Sequence, residues 1–257
     1  MNKPLKAPWR LETLRLTTFP TTMPDVSSIT WWEEVVGEKP VTKTVQPWAG
    51  SLQVAGTIKN RVCNLSLICQ PMRVDWLLTP ILSDKTELTE FPTFASLNDG
   101  IKLFNEILLP WLKVCPPLNR IAFGAVLIYA VKDRKEGYEV LSNYLSTIKL
   151  DPEGSKEFSY QINRPRPSRN KVAGLHINRL SRWSVAKLNG MIMQFSIGQE
   201  VTSKVFKSDT GLDACRLELD ISTSEDYNGE LPKDMTNPIY QELLEVGLEI
   251  AQRGDVP

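Results

Sequence analysis

Two carboxylates near the C-terminal end of a β pattern have the spacing of a catalytic pair. Glu218 and Asp220 alternate with apolar residues, and alternate residues of a strand point to the same face. Paired carboxylates bind Mg²⁺ or act as general acid and base. The companion lysine pattern of a metal-dependent nuclease is absent, and the same alternation is typical of a solvent-facing strand. A nuclease is therefore the most distant of three functional predictions.

Other signatures of catalysis are incomplete. Ser168-x-x-Lys171 and Ser184-x-x-Lys187 have the spacing of a serine–lysine nucleophile, but they fall in a predicted loop and a predicted strand, and the partner motifs are missing. His176 has no nucleophile placed beside it. No glycine-rich phosphate loop occurs. These patterns predict no catalytic residue, no metal site and no cofactor.

The strongest functional signal is a run of positive charge. Residues 158–199 contain seven Lys and Arg and no Asp or Glu. Pro165 and Pro167 predict an extended loop over 163–171, from which the cations would project. Such a patch neutralises phosphates or an acidic protein face, and the nearby Tyr160 could stack on a base. The predicted binding residues are Arg164, Arg166, Arg169, Lys171, Arg179, Arg182 and Trp183.

The C-terminal end carries charge of the opposite sign. From residue 209 onwards there are twelve Asp and Glu against three Lys and Arg, although the whole chain has 30 of each kind and a formal net charge of +0. Two interpretations of the basic loop stay open. It recognises a partner, or it neutralises the chain's own acidic end.

The first fifty residues are rich in proline and tryptophan. Six prolines disfavour a long helix there, while 11–18 has the pattern of a strand. Trp31 and Trp32 are predicted either to anchor this segment on the core or to form a partner surface, because tryptophan is enriched at interface hot spots.

Hydrophobic periodicity predicts three helices and a series of strands. The helices begin after Ser96, near Lys135 and at Pro238, the last with Asn237 as its cap. The apolar run 121–131 predicts a central, doubly buried strand, and Asn189–Gly190 predicts a hairpin between the strands on either side. Further predicted strands cover 51–58, 62–69, 74–78, 158–162, 175–185, 191–197, 201–206 and 214–221.

This order of elements predicts an α+β fold on a mostly antiparallel sheet, with about three helices packed on it. The predicted organisation is a Pro/Trp-rich N-terminal segment, 1–50, and an α+β domain, 51–257, which has room for two subdomains split near 150. The first residues lack the apolar core of an export signal, and the four cysteines form no CxxC pattern. A cytoplasmic protein that does not contact membranes is expected.

Two segments resemble a sporadically distributed family of uncharacterised prokaryotic α+β proteins of similar length. One is Leu-Asn-Arg-Ile at 118–121 with its apolar strand and the helix at 138–148. The other is Arg-Leu-Glu-Leu-Asp at 216–220, with the acidic linker and helix that follow. The resemblance implies a prokaryotic accessory protein encoded near defence or mobile-element genes, and it transfers no catalytic residue.

The leading functional prediction is a non-enzymatic protein-interaction subunit or regulator of a prokaryotic assembly, such as an antiviral-defence complex. Charge polarity, the tryptophan-rich segment and the incomplete catalytic signatures favour it. The alternative is a nucleic-acid-binding protein that uses the basic region 164–187. The oligomeric state and the partner's identity are left open.

Overall fold

The predicted fold class is confirmed by a computed structural model, which describes residues 9–22, 24–58, 63–81, 91–94, 96–187, 190–194, 202–206 and 213–256. The described strands pair antiparallel, and ten of them form one large sheet. This is an α+β architecture with a mostly antiparallel sheet.

Ten strands form the main sheet, and two more form a separate ribbon. The strands are β1 (Arg10–Pro20), β2 (Thr42–Gln46), β3 (Ser51–Ile58), β4 (Cys63–Gln70), β5 (Arg73–Pro80), β6 (Leu118–Val131), β7 (Ser159–Asn163), β8 (Arg166–Pro167), β9 (His176–Lys187), β10 (Gly190–Gln194), β11 (Thr202–Phe206) and β12 (Asp213–Thr223). Their order across the sheet is β2-β3-β4-β5-β1-β6-β12-β9-β7, and β8 pairs with β9. The apolar strand β6 lies near the middle, as its sequence predicts.

The described part of the chain has four α-helices beside the sheet: α1 (Trp31–Val36), α2 (Leu97–Val114), α3 (Arg134–Tyr144) and α4 (Thr236–Arg253). The Ser96 hydroxyl caps α2 by accepting a hydrogen bond from the Asp99 amide at 3.1 Å, as predicted. The predicted start of the last helix is wrong. The 3₁₀ helix Lys233–Met235 leads straight into α4, so Asn237 lies inside the first turn instead of capping it.

The helices cover one face of the sheet. In the register of β1, β6 and β12, the residues Leu14, Ala125 and Leu219 stand opposite one another, and all three are buried. Gly247 of α4 lies so close to this face that an added Cβ would be 3.0 Å from the Phe123 ring. The opposite face carries half-exposed charged residues, which is the usual division for an antiparallel sheet.

The strands on either side of the predicted Asn189–Gly190 hairpin, β9 and β10, do not pair with each other among the described residues. β9 pairs with β12, β7 and β8, whereas β10 pairs with β11 in the separate ribbon. Residues 188–189 themselves lie outside the described part of the chain. β9 lies between β12 and β7 in the main sheet.

One hydrophobic core runs through the described chain, from Trp9 to Ala251. The strand predicted at 11–18 is part of it, because β1 lies between β5 and β6 in the sheet interior. The divisions at residues 50 and 150 stay predictions. None of the described helices is long and apolar enough to cross a membrane.

Candidate protein interface

The basic loop lies on the acidic C-terminal helix. The Arg164 guanidinium donates two hydrogen bonds to the Asp255 carboxylate, from Nε at 2.6 Å and from Nη2 at 2.8 Å. Arg166 pairs with Glu249 at 3.3 Å, and Arg169 pairs with Glu245 at 2.7 Å. These three ion pairs, called the arginine clamp below, fix the loop to α4 and the residues after it.

Glu242 holds the centre of this loop from within the protein. Its side chain is 3% exposed and accepts hydrogen bonds from the Ser168 hydroxyl at 2.6 Å, the Arg169 amide at 2.8 Å and the Asn170 side-chain amide at 2.8 Å. Burial alone would raise the pKa of this carboxyl, but the hydrogen bonds outweigh it and lower the pKa. The loop is thus organised around a buried, ionised carboxylate.

Asp255 anchors the end of the chain in the same way. The Arg164 hydrogen bonds lower the pKa of Asp255 against the opposing effect of burial, and the Tyr160 hydroxyl donates a further bond at 2.9 Å. The Asp255 amide donates to the Tyr144 carbonyl at 3.0 Å. Tyr160 therefore points its hydroxyl at a carboxylate of its own chain.

The remaining cations of the predicted patch are mostly engaged as well. Arg179 is 5% exposed and donates to the Val256 carbonyl at 3.1 Å. Arg182 donates twice to the Gln161 side chain and lies 3.6 Å from Glu218. Trp183 is 0% exposed, so its ring presents no face to a base. Lys171 is exposed, in a left-handed conformation with φ 56°.

Glu218 and Asp220 are held by arginines. Glu218 accepts from Arg216 Nε at 3.0 Å, and Asp220 accepts from Arg15 Nη2 at 3.0 Å. Arg15 reaches Asp220 across Gly124, where a Cβ would lie 3.1 Å from its Nε, so the glycine makes room for the guanidinium. Across the described residues, no group of three or more His, Cys, Asp or Glu is placed to hold a metal ion. Both carboxylates thus act as ion-pair partners on the sheet's charged face.

The cysteine thiols are poor nucleophiles in this fold. All four cysteines are buried. Burial raises the pKa of the Cys69 thiol to about 12, with a further contribution from Asp75, and burial with Glu136 raises the pKa of Cys215 to about 12. The reactive thiolate is therefore scarce at neutral pH for both groups.

Of the two predicted interface tryptophans, one is buried and the other is half-buried. Trp32 is 2% exposed and stacks on Trp76 with ring centroids 6.4 Å apart. Trp31 packs edge-on against Trp111 at 5.6 Å. Both rings therefore contribute to the packing of α1 on the core, which leaves at most part of Trp31 for a partner.

A different tryptophan faces the solvent. Trp48 is 85% exposed and lies in the 3₁₀ helix Pro47–Ala49, between β2 and β3. Pro47 restricts the backbone at the start of this turn. Gly50, with φ 57°, closes it by donating its amide to the Pro47 carbonyl at 3.0 Å. The local sequence Pro-Trp-Ala-Gly thus builds a short rigid turn that projects the indole away from the core.

This turn directly follows β2, a strand at the edge of the sheet. In the described sheet β2 pairs only with β3, so alternate backbone N–H and C=O groups of Thr42–Gln46 point outward. Val41, at the other end of β2, is 74% exposed. Two apolar side chains therefore flank five residues of strand edge. We refer to Val41–Trp48 as the β2 edge.

The chain matches no family model and no curated protein. In the sequence, Trp48 is grouped with the other tryptophans of the first fifty residues, of which Trp31 and Trp32 are selected as the predicted partner surface. A signal nevertheless sets Trp48 apart: among seven tryptophans it alone lies between a proline and a small Ala-Gly pair, a context typical of a turn.

Proposed function

We propose that this protein is a non-enzymatic interaction subunit that binds a partner protein through the β2 edge. The observation that carries the proposal is Trp48, an indole 85% exposed at the end of an edge strand. Trp is enriched among residues that dominate binding energy. Exposing this large apolar surface on a rigid turn is explained by a partner that covers it.

The exposed groups of the β2 edge indicate what kind of protein segment would bind there. An extended segment of another protein would pair with the outward backbone groups of β2, which is the strand-addition mode of recognition. Its apolar side chains would pack on Trp48 and Val41. Lys43, exposed in the middle of β2, favours an acidic residue in that segment.

The assembly to which such a subunit would belong is part of the proposal. The resemblance of the 118–148 and 216–253 regions supports a prokaryotic complex, including one of antiviral defence. Nucleic-acid binding by 164–187 stays a prediction without a favouring observation, because most of the patch's cations are engaged within the chain.

The test uses the tagged wild type and two tagged variants as bait in extracts of the native host. Trp48→Ala should lose a protein that the wild type retains, and Val114→Ser is the matched control because Val114 is 61% exposed on α2, outside the β2 edge. In the purified complex, hydrogen exchange at Thr42–Gln46 should slow. The proposal would be refuted if Trp48→Ala still retained the partner protein and hydrogen exchange at β2 were unchanged. It would also be refuted if the protein self-associated with increasing concentration and Trp48→Ala abolished this, because the occupant would then be a second copy.

A further inference from the structure

A cleft of about 530 Å³ opens at the end of the sheet where β1 finishes and β6 begins. Its walls come from three places: Phe19 and Pro20 at the end of β1, Met72 in the turn between β4 and β5, and Tyr227 in the loop after β12. This volume lies within the range of sites for small ligands or side chains. No residue of the β2 edge lines it.

The cleft already contains one guanidinium, which belongs to the protein. Arg120 lies over the Phe19 ring, with its Cζ 5.0 Å from the ring centroid. Its Nη1 donates to the Glu225 carboxylate and its Nη2 to the Ser222 hydroxyl at 3.3 Å. In one wall of the cleft, the Phe19 ring and the Glu225 carboxylate therefore already bind an arginine side chain.

A second aromatic ring and a second carboxylate, those of Tyr227 and Glu230, line the same cleft. The Tyr227 ring packs on Gly229, where an added Cβ would lie 2.9 Å from ring atoms, and its hydroxyl donates to the Glu230 carbonyl at 3.4 Å. Glu230 is exposed, and its carboxylate forms no ion pair with any residue that the structure describes. Met72 exposes 42% of its surface nearby.

The charge of the lining favours a cation. Among the described residues, one arginine and two glutamates line the cleft, so Arg120 and Glu225 neutralise each other and Glu230 leaves one negative charge. An anion would have to displace Glu225 from Arg120 and also approach Glu230. A guanidinium can pair with Glu230 and stack on an aromatic ring such as Tyr227, and its alkyl stem can pack on apolar lining such as Met72 and Pro20.

We propose that this cleft binds the side chain of an arginine supplied by a ligand. The ligand is free arginine or an arginine of a protein segment, because both present the same guanidinium and stem. The site is independent of the β2 edge, so either proposal can fail without the other.

The experiment is a calorimetric titration of the whole chain with N-acetyl-arginine amide. Its neutral isostere, N-acetyl-citrulline amide, should bind at least tenfold more weakly, because it has no charge to pair with Glu230. Glu230→Gln should weaken the arginine probe by a similar factor, and Tyr227→Leu should weaken it several-fold. Glu38→Gln is the control for loss of an exposed carboxylate elsewhere. Unchanged melting temperatures establish that the variants are folded.

Two further probes separate the sources of the arginine. Tighter binding of the tripeptide Gly-Arg-Gly than of free arginine indicates a protein segment, and the reverse order indicates the amino acid. Absence of binding by all arginine probes at millimolar concentration overturns the proposal. Equal affinity for the citrulline probe, or an affinity that Glu230→Gln leaves unchanged, overturns it as well.

Discussion

At the scale of single residues, the carboxylates that organise the basic loop are more informative than the arginines that first attract attention. Arginine stays charged at any ordinary pH, whether it meets solvent, a phosphate or a neighbouring helix. Asp255 and Glu242 are different, since each is nearly inaccessible and keeps its charge only because donors of this chain surround it. The surroundings of these two carboxylates therefore indicate that the basic loop binds to the protein's own C-terminal region.

Asp255→Asn should destabilise the protein at neutral pH by about 1.5–3 kcal/mol, because the two Arg164 hydrogen bonds lose their ionised acceptor. The folded-state pKa of Asp255 lies below its ordinary value of 3.8. Its contribution is therefore complete above pH 3.8 and is lost as the pH falls through the folded-state pKa. Denaturant midpoints of wild type and Asp255→Asn should converge in acid.

Asp234→Asn is the control for this pH series, because Asp234 is exposed at the entry to α4. Its effect should stay within about 0.5 kcal/mol at neutral pH. A difference between wild type and Asp255→Asn that persists undiminished in strong acid would contradict the role assigned to the carboxylate.

At the scale of elements, the sequence predicts most of what is local. The Ser96 cap, the strands β3 and β4 and the apolar strand β6 follow from patterns within a dozen residues. The sequence-based predictions are wrong where contacts outside the local pattern determine how a strand pairs or where a helix begins. β9 pairs with β12 and not with β10, the next described strand along the chain. α4 begins at Thr236 because the 3₁₀ helix Lys233–Met235 continues directly into it. Neither competing contact is visible in the local sequence.

The junction at the end of α4 provides a prediction for an element. Gly254 has φ 81°, and an added Cβ would lie 2.1 Å from the Tyr144 carbonyl oxygen. Gly254→Ala should therefore displace the end of the chain, including Asp255, and weaken the arginine clamp. Gly37 is the matched control because it ends α1 with φ 77° and has nothing within 4 Å of an added Cβ.

Gly37→Ala should cost only the backbone strain of the left-handed conformation, about 1–2 kcal/mol. Gly254→Ala should cost clearly more in chemical denaturation, since the obstacle is a backbone atom that cannot rotate away. Equal losses at the two positions would show that the chain end relaxes freely and that the clamp does not depend on this junction.

At the scale of the whole molecule, the sequence reveals the two charged regions but not how they are used. Counting residues identifies a basic middle and an acidic end, and it leaves both self-neutralisation and partner recognition open. The fold brings Arg164 to Asp255 across 91 positions of the sequence. That contact depends on the pairing of β8 and β9 and on the docking of α4, which no local pattern encodes.

Reversing the charges of the arginine clamp tests whether the basic loop serves self-neutralisation or partner recognition. Arg164→Glu, Arg166→Glu and Arg169→Glu together would place three carboxylates beside Asp255, Glu249 and Glu245, so like charges would face each other along α4. We expect a marked fall in melting temperature and in the denaturant midpoint. The same reversal at three exposed lysines, Lys102, Lys113 and Lys149, changes the net charge equally but breaks no ion pair between described residues, and it should leave both measurements nearly unchanged.

Nucleic-acid binding, measured at low and at high salt, completes this test. A chain whose arginines serve the fold should show no affinity that depends steeply on salt, because few phosphate contacts would form. If the triple reversal kept the wild-type melting temperature and abolished salt-dependent binding, the loop would be a recognition surface. The ion pairs to α4 would then be weak contacts that a partner displaces.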